Sequence, residues 1–393
     1  MQSQTAVAIG SNIVRKGRRK RARYLFALLL LSDWLFAWEL TGAKSAELKA
    51  SWQADWEKTL QAATKEKQVV IYASADFEKL FREFQPKYPE IKVAFLPGSA
   101  RDNTQRLIAE RRAGKYLADL YIGGATTAYT VLYKGRLLDP VRPALILPEV
   151  TDESKWWEGK HRYGDDEERH VFAFNGELQP YFSYNTKLVN PKEFSSFWDF
   201  LNLKWKGKMV MFDPGLAGAA APLRFIYHHP ELGPPFLRRL LGEMEIPASR
   251  DYRLFGDWLA TGKYALILFT DAQRIDLDIA KRQGLPVDWF GPNTFKEGAI
   301  LGSASGNLGL INRAPHPNAA RLAINWLLSR EGQTAYQRIF QKPDSRRIDI
   351  PKNEVPSFSR RTEGVKYVLT DKPEWMDMKP ILDLINEVRR GKK

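Results

Sequence analysis

The 393-residue chain contains no cysteine, which excludes disulfides, thiol catalysis and cysteine-ligated zinc or iron–sulfur centres. It also removes the lipid-bearing cysteine that a bacterial lipoprotein carries behind its leader. Histidine is scarce: His161, His170, His228, His229 and His316 are the full set. None stands in a His-Glu-x-x-His pattern, and no nucleophile elbow or phosphate-binding loop occurs; Ser303 and Ser305 lie among glycines but outside a Gly-x-Ser-x-Gly context. Enzyme activity is therefore not expected. The leucine-rich run Tyr24–Leu31 spans only eight residues before Ser32-Asp33, against the roughly 20 needed to cross a bilayer.

What is present points to a folded chain. With 44% hydrophobic residues, twelve Trp and twenty-one Phe, it can bury a large core, and its length suits two lobes. The net charge of +14 is partly a terminal effect. The first 46 residues hold eight basic side chains (Arg15, Lys16, Arg18, Arg19, Lys20, Arg21, Arg23, Lys44) and two acidic ones (Asp33, Glu39), so the remainder carries 52 basic against 44 acidic, or +8. A basic run directly before a short apolar core, with Gly42, Ala43, Ser45 and Ala46 beyond, predicts a cleaved secretory leader over residues 1–46. If uncleaved, it would be an inner-membrane anchor. The basic cluster is not expected to bind nucleic acid, since it adjoins a leucine run that such an interface does not need.

The stretch Gln68–Ala128 organises the rest. Val69-Val70-Ile71-Tyr72-Ala73 reads as a strand ending at Ser74-Ala75-Asp76, and a helix with Phe77, Leu80, Phe81 and Phe84 follows it. A strand at 91–96 breaks at Pro97-Gly98-Ser99, and a helix carries Leu107 and Ile108. A strand at 117–122 runs into Gly123-Gly124-Ala125-Thr126-Thr127. In an open α/β sheet, ligands gather at such strand ends, where helix N-termini offer free N–H groups. Residues 47–66 read as an amphipathic helix, 140–148 as an extended strap, and Asp165-Asp166-Glu167-Glu168 as a solvated acidic loop rather than a metal site.

A second set of corners follows. Met209–Phe212 ends at Asp213-Pro214-Gly215, with Ala217-Gly218 opening a helix. Tyr264–Phe269 ends at Thr270-Asp271. The chain is expected to cross between lobes near 183 and again near 292, to form a long helix over roughly 317–340, a charged strap over 341–362 and a last helix near 378–389. The predicted organisation is lobe 1 from 47–182 with 293–345, lobe 2 from 183–292, and a C-terminal strap and helix over 346–393.

Several phrases in this order resemble one family: Val69–Ser74, Ala118-Asp119-Leu120-Tyr121, Tyr184-Asn185-Thr186, Trp205-Lys206-Gly207-Lys208 before Asp213-Pro214, Gly262-Lys263-Tyr264-Ala265, Ala314-Pro315-His316-Pro317-Asn318-Ala319-Ala320, and Leu327-Leu328-Ser329-Arg330-Glu331-Gly332-Gln333. Over residues 66–345 the chain is similar to the family 1 extracellular solute-binding proteins of bacterial ABC importers, which include ferric-ion, thiamine and aminoethylphosphonate binders. The resemblance implies an α/β type 2 periplasmic-binding fold: two lobes with crossing strands between them, a small solute in the cleft, and delivery to an inner-membrane permease. A monomer, periplasmic and without cofactor, is the corresponding expectation. A sensor docking on a signalling receptor, or a metal-ion binder, are the alternatives. Iron is disfavoured: the family's ferric ligand positions match Ala75-Asp76, Gly124-Ala125 and Phe269-Thr270-Asp271, without the phenolates or imidazole that ferric iron needs.

The candidate lining is Ser74, Ala75, Asp76, Ser99, Arg101, Gly124, Ala125, Thr126, Gly215, Ala217, Gly218, Arg250, Asp251, Thr270 and Asp271. Helix starts at 76, 102 and 218 favour an anion, and Arg101 or Arg250 offers a bidentate clamp for a carboxylate, sulfonate or phosphonate. Ser74 and Thr126 could instead be N-caps, Arg250 could pair with Asp251, and Asp76, Asp213 and Asp271 would suit an amine.

Overall fold

The computed structural model describes residues 51–98, 100–178, 181–270, 274–341 and 344–391; the expected leader over 1–46 lies outside them. Residues 1–58 and 59–393 form two units. In the first, residues 51–58 are helical, and in the second, residues 59–66 are too. Among the described residues no helix is long and apolar enough to cross a membrane.

The strands are β1 (Gln68–Ala73), β2 (Lys92–Pro97), β3 (Leu120–Gly123), β4 (Leu138–Asp139), β5 (Val171–Ala173), β6 (Glu177–Leu178), β7 (Phe182–Asn185), β8 (Met209–Phe212), β9 (Ala248–Ser249), β10 (Leu266–Leu268), β11 (Val287–Trp289), β12 (Ala299–Gly302), β13 (Asn307–Ile311) and β14 (Tyr367–Leu369). Among the described residues they make three sheets. The first has the order β2-β1-β3-β13-β4, with β5 also on β13, and the second β11-β7-β10-β8-β9. In the first, β1 runs parallel to β2 (Val69 opposite Val93) and to β3 (Ile71 opposite Leu120), whereas β13 is antiparallel (Leu308 opposite Ile122). In the second, β8 and β10 are parallel (Val210 opposite Ile267) and β7 is antiparallel to β10. Near-continuous apolar runs such as Val69–Ala73 and Met209–Phe212 are buried throughout, as strands covered on both faces must be.

The third sheet, β14-β12-β6, lies where the chain passes between the other two. Leaving β5 it runs through β6 into β7, and it returns through β12 into β13. The crossing pair therefore sits at Leu178 opposite Leu301 and Glu177 opposite Gly302, rather than near 183 and 292. Residues 182–185 are already inside the second sheet, because Phe182 is claimed by an aromatic core with Phe197 and Phe200 at ring separations of 5.1 and 5.4 Å. A third strand, β14 of the C-terminal strap, pairs with β12 in parallel (Ile300 opposite Val368) and had no sequence signal.

Other expectations shift by identifiable causes. The long helix over 317–340 is two, Pro317–Leu328 and Arg330–Phe340, divided at Ser329. That residue is extended (φ −66°, ψ 168°), and its side chain accepts from Gly332 N, capping the second helix. Glu66 caps the first, accepting from Asn318 N at 3.2 Å and Ala319 N at 2.8 Å. The acidic loop is not simply solvated: Asp165 is 1% exposed and accepts from His170 N at 2.9 Å and Val171 N at 2.8 Å, so it builds the turn into β5. The final helix runs Lys379–Arg390, and the strap at 145–147 is held by Asn325 Oδ1, which accepts from Ile146 N at 2.7 Å and Leu147 N at 3.0 Å.

Three histidines, His161 and His229 buried and His228 partly so, set a pH response. Burial holds the imidazoles of His161, His228 and His229 below their usual value of 6.5. The unfolded chain therefore binds protons that the folded chain refuses, and stability is full above pH 6.5 and lost as the pH falls through it. Urea unfolding is expected to show a lower midpoint at pH 5.5 than at pH 7.5; an equal or higher acid midpoint would contradict this.

Candidate functional site

Each sheet opens its parallel strands onto small-residue corners. After β1, Ser74, Ala75 and Asp76 are all exposed, and the helix Asp76–Phe84 begins there. The corner after β2 is tied to it by Asn103, from the helix Ala100–Arg112. Its Nδ2 donates to Ala73 O at 3.2 Å and to Gly98 O at 3.4 Å, and the side chain is buried. Gly98 fits because a Cβ would lie 2.7 Å from Asn103 Oδ1. Asn103→Ala is expected to lower stability by about 1–2 kcal/mol through the loss of two hydrogen bonds from a buried amide, one to a buried carbonyl, readable as a shift in urea midpoint; no shift would mean water replaces the amide.

The β3 corner is the most elaborated. Gly124 is extended (φ −72°, ψ 143°), Ala125 opens a helical turn, and residues Ala128–Tyr133 continue as a π-helix. Helices of that kind are rare and concentrate at functional sites. Lys134 Nζ donates to Asp166 at 2.6 Å and Tyr129 Oη to the same carboxylate at 3.0 Å, which fixes the turn's outer side. Nearby, Ala304 holds a left-handed φ of 45°, and at the end of β10 buried Phe269 holds one of 68°. Such conformations cost of order 1–3 kcal/mol each and persist where the surroundings impose them.

One side chain joins the corners. Arg224, on the helix Ala220–His228 that follows the β8 corner, is 3% exposed. It donates through Nη1 to Thr126 Oγ1 at 2.9 Å and through Nη2 to Asp371 Oδ1 at 3.1 Å. Asp371 in turn accepts from Ser303 N and from Ser303 Oγ. Ser303 Oγ also lies 2.9 Å from Asn307 Oδ1, and Asn307 Nδ2 donates to Gly123 O at 3.0 Å. A buried network thus links the β3 corner, the return from β12 to β13, the C-terminal strap and the second-sheet helix. Met376 of the strap packs with Ala125 and Tyr129.

The sequence-predicted residues fare differently. Neither Ser74 nor Thr126 caps a helix: the N-cap positions are Ala75 and Gly124, without a side-chain cap bond. Asp76 pairs with Lys79 at 3.5 Å, both well exposed. Gly215 and Gly218 are exposed, and Gly215 N donates to Asp213 Oδ1 at 2.9 Å. Arg250 does not pair with Asp251. It lies 3.5 Å from Asp213 and is 75% exposed, while Asp251 pairs with Arg253 at 2.8 Å, its carboxyl held below the usual range by that guanidinium. Thr270 is buried. Arg101 lies in the first turn of the helix Ala100–Arg112 and Ala217 in the 3-10 turn Ala217–Ala219; Ser99 and Asp271 fall outside the described residues. The helix expected to open at 102 begins at Ala100, and that expected at 218 begins in full at Ala220. Arg224, Asp371 and Ser303 were missed, since a lone arginine in an apolar helix and a distant aspartate give no local pattern to pair them.

No protein-family model matches the chain. Solved structures do. An iron- and citrate-bound Trichodesmium protein (IdiA, FutA) aligns with a TM-score of 0.61 at 18% identity, over 82% of this chain and 98% of that one. A periplasmic binding protein of Actinobacillus pleuropneumoniae, AfuA, with fructose-6-phosphate bound, gives 0.55 at 20% identity over 81% and 97%. A ferric binding protein of Campylobacter jejuni gives 0.61 at 15% over 81% and 99%. The chain has the two-lobe type 2 periplasmic-binding fold. The network around Arg224 lies beside the crossing pair β6 and β12, since Ser303 directly follows β12. The helix Ala220–His228 and the β3 corner meet at the bond between Arg224 and Thr126.

Proposed function

We propose that this chain is the solute-binding component of an ABC importer, capturing a small organic anion between its lobes and delivering it to an inner-membrane permease. We take lobe 1 as the chain before β6 and after β12 and lobe 2 as the chain between them, in place of the expected 47–182 with 293–345 and 183–292, the strap and last helix as 346–393, and the site of action as the periplasm, after a leader over 1–46. The observation that carries the reading is the set of helix starts at the strand-end corners, beside Ser74-Ala75-Asp76 and Gly218, whose unpaired N–H groups favour negative charge. Arg224 brings the helix Ala220–His228 to the β3 corner at Thr126 while its charge is balanced by Asp371. The exposed carboxylates that would suit an amine, Asp76 and Asp213, already face Lys79 and Arg250.

Iron is not the proposed cargo, although the Trichodesmium and Campylobacter proteins carry it. The corners at 75–76, 124–125 and 269–271 offer no phenolate or imidazole, the donors that ferric iron would need alongside carboxylates. The Actinobacillus protein, with its phosphorylated sugar, is the nearer guide to charge. The solute leaves chemically unchanged, and hinge closure makes contacts available only in the closed state, which shifts the population toward it. Isothermal titration of the purified protein against carboxylates, sulfonates and phosphonates is expected to find tight binding within that panel. Tight binding only to cations or neutral sugars would overturn the reading.

A further inference from the structure

After the helix Arg330–Phe340 the strap turns back against the link between β5 and β6. Asn175 and Ser345 form an antiparallel bridge, Arg346 N donates to Phe174 O at 2.8 Å, and Gly176 N to Asp344 O at 3.0 Å. This pairing sets Arg346 and Arg361 around the indole of Trp157, where Arg162 also lies. The three guanidinium carbons are 5.7, 5.0 and 5.9 Å from the ring centroid. A cation–π contact gives about 1–2 kcal/mol, which does not offset the repulsion of three like charges at low dielectric.

The neighbouring carboxylates are already committed. Asp344, 2% exposed, is shared by Arg361 at 3.2 Å and Lys352 at 2.6 Å, and Glu158 pairs with Arg162. Arg346 is 3% exposed, and its Nε donates to a neutral acceptor, Asn175 O, at 2.7 Å. Four cations thus share two directly paired carboxylates, with Asp371, Glu168 and Asp349 adding attraction only from further off. Among the described residues, Arg162 Nε, Arg346 Nη1 and Arg361 Nη1 are buried without a hydrogen-bond partner. The side chain of Arg361 is 7% exposed. Gly176 is required here, because a Cβ would lie 2.6 Å from Arg361 Nη1 and 3.1 Å from Arg346 Cγ. Buried donors on charged groups are costly to leave unmade, and their common need is an acceptor that also carries negative charge.

We propose that Arg162, Arg346 and Arg361 around Trp157 form a second anion site, beside the crossing pair, that takes a small free oxyanion such as sulfate or inorganic phosphate. None of these residues belongs to the strand-end corners, so the site stands or falls independently of the solute reading. A tetrahedral oxyanion accepts from several guanidinium N–H groups at once, cancels the excess charge, and fastens the strap to the β5–β6 link. Binding there stabilises the folded chain in proportion to occupancy.

The test is thermal unfolding and calorimetric titration of the full chain in sulfate, phosphate and chloride at matched ionic strength. Sulfate and phosphate are expected to raise the melting temperature above chloride. Arg346→Met should bind sulfate about ten-fold more weakly or worse, the loss expected for one charged hydrogen-bonding group, and its melting temperature should become indifferent to the anion. A merely structural arginine would lower the melting temperature equally in all three salts. Should Arg346→Met fail to fold, Arg162→Met, at the partly exposed rim, provides the same comparison. Thr126→Val changes a corner and none of these residues, so its sulfate response should match the unaltered protein. The proposal is overturned if sulfate and chloride act alike on the unaltered protein, if the response survives both arginine variants, or if Thr126→Val abolishes it.

Discussion

Asp119→Ala is expected to lower folding stability by about 4 kcal/mol, the scale of a buried charge network broken from one side. The carboxylate is fully buried and ties three segments distant in sequence. Its Oδ2 accepts from Val70 N at 2.7 Å and from His316 Nδ1 at 2.9 Å, and its Oδ1 accepts from His316 N at 2.8 Å. The first joins β1 to the chain entering β3; the others fix the start of the helix Pro317–Leu328. Burial pushes the carboxyl up, against the opposing pull of those N–H groups. Alanine leaves two backbone donors and an imidazole without an acceptor. Urea unfolding reads the loss directly, and a change below about 1 kcal/mol would show that water replaces the carboxylate, contrary to its burial.

Arg224→Met is expected to cost about 3 kcal/mol and to weaken solute binding as well. Its side chain and that of Asp371 are 4% and 10% exposed, so the pair lies in a low dielectric and its rupture leaves a charge behind. Asp371 keeps Ser303 Oγ at 2.6 Å, which places the cost at the lower end of the range for buried pairs. Asp371→Asn should cost less, since an amide can still accept from Ser303, and it separates charge from geometry. If Arg224→Met were as stable as the unaltered protein and bound solute equally, the network would be neither a structural joint nor part of the cleft.

Much of the fold was legible because its signals are local. Apolar runs of five or six residues, each ended by small or turn-forming residues, gave β1, β3, β8 and β10 with their corners. The family-like phrases were legible for another reason: most of them sit at structural joints. Asp119 binds β1 to His316; Asn185 Nδ2 donates to Leu259 O at 2.7 Å; Gly207 and Gly262 hold positive φ; Ser329 caps a helix. Such joints persist whatever the solute, so they announce a scaffold and say little of its cargo. What remained unread was non-local. The pairing of β14 with β12, the bond from Arg224 to Thr126 and the arginines around Trp157 each depend on segments far apart in sequence. Arg250 shows the same limit, because its partner is Asp213 rather than the adjacent Asp251.

The claim on which the account depends is that the lobes close over a solute, and the absence of native cysteine allows a direct measurement. Labels at Lys79→Cys and Asp257→Cys, on exposed positions of helices from opposite lobes, report the distance between them by pulsed electron resonance, with and without the tightest-binding anion of the calorimetric panel. The account predicts a shorter and narrower distance distribution at saturation. An unchanged distribution, with binding confirmed in the same sample, would contradict it.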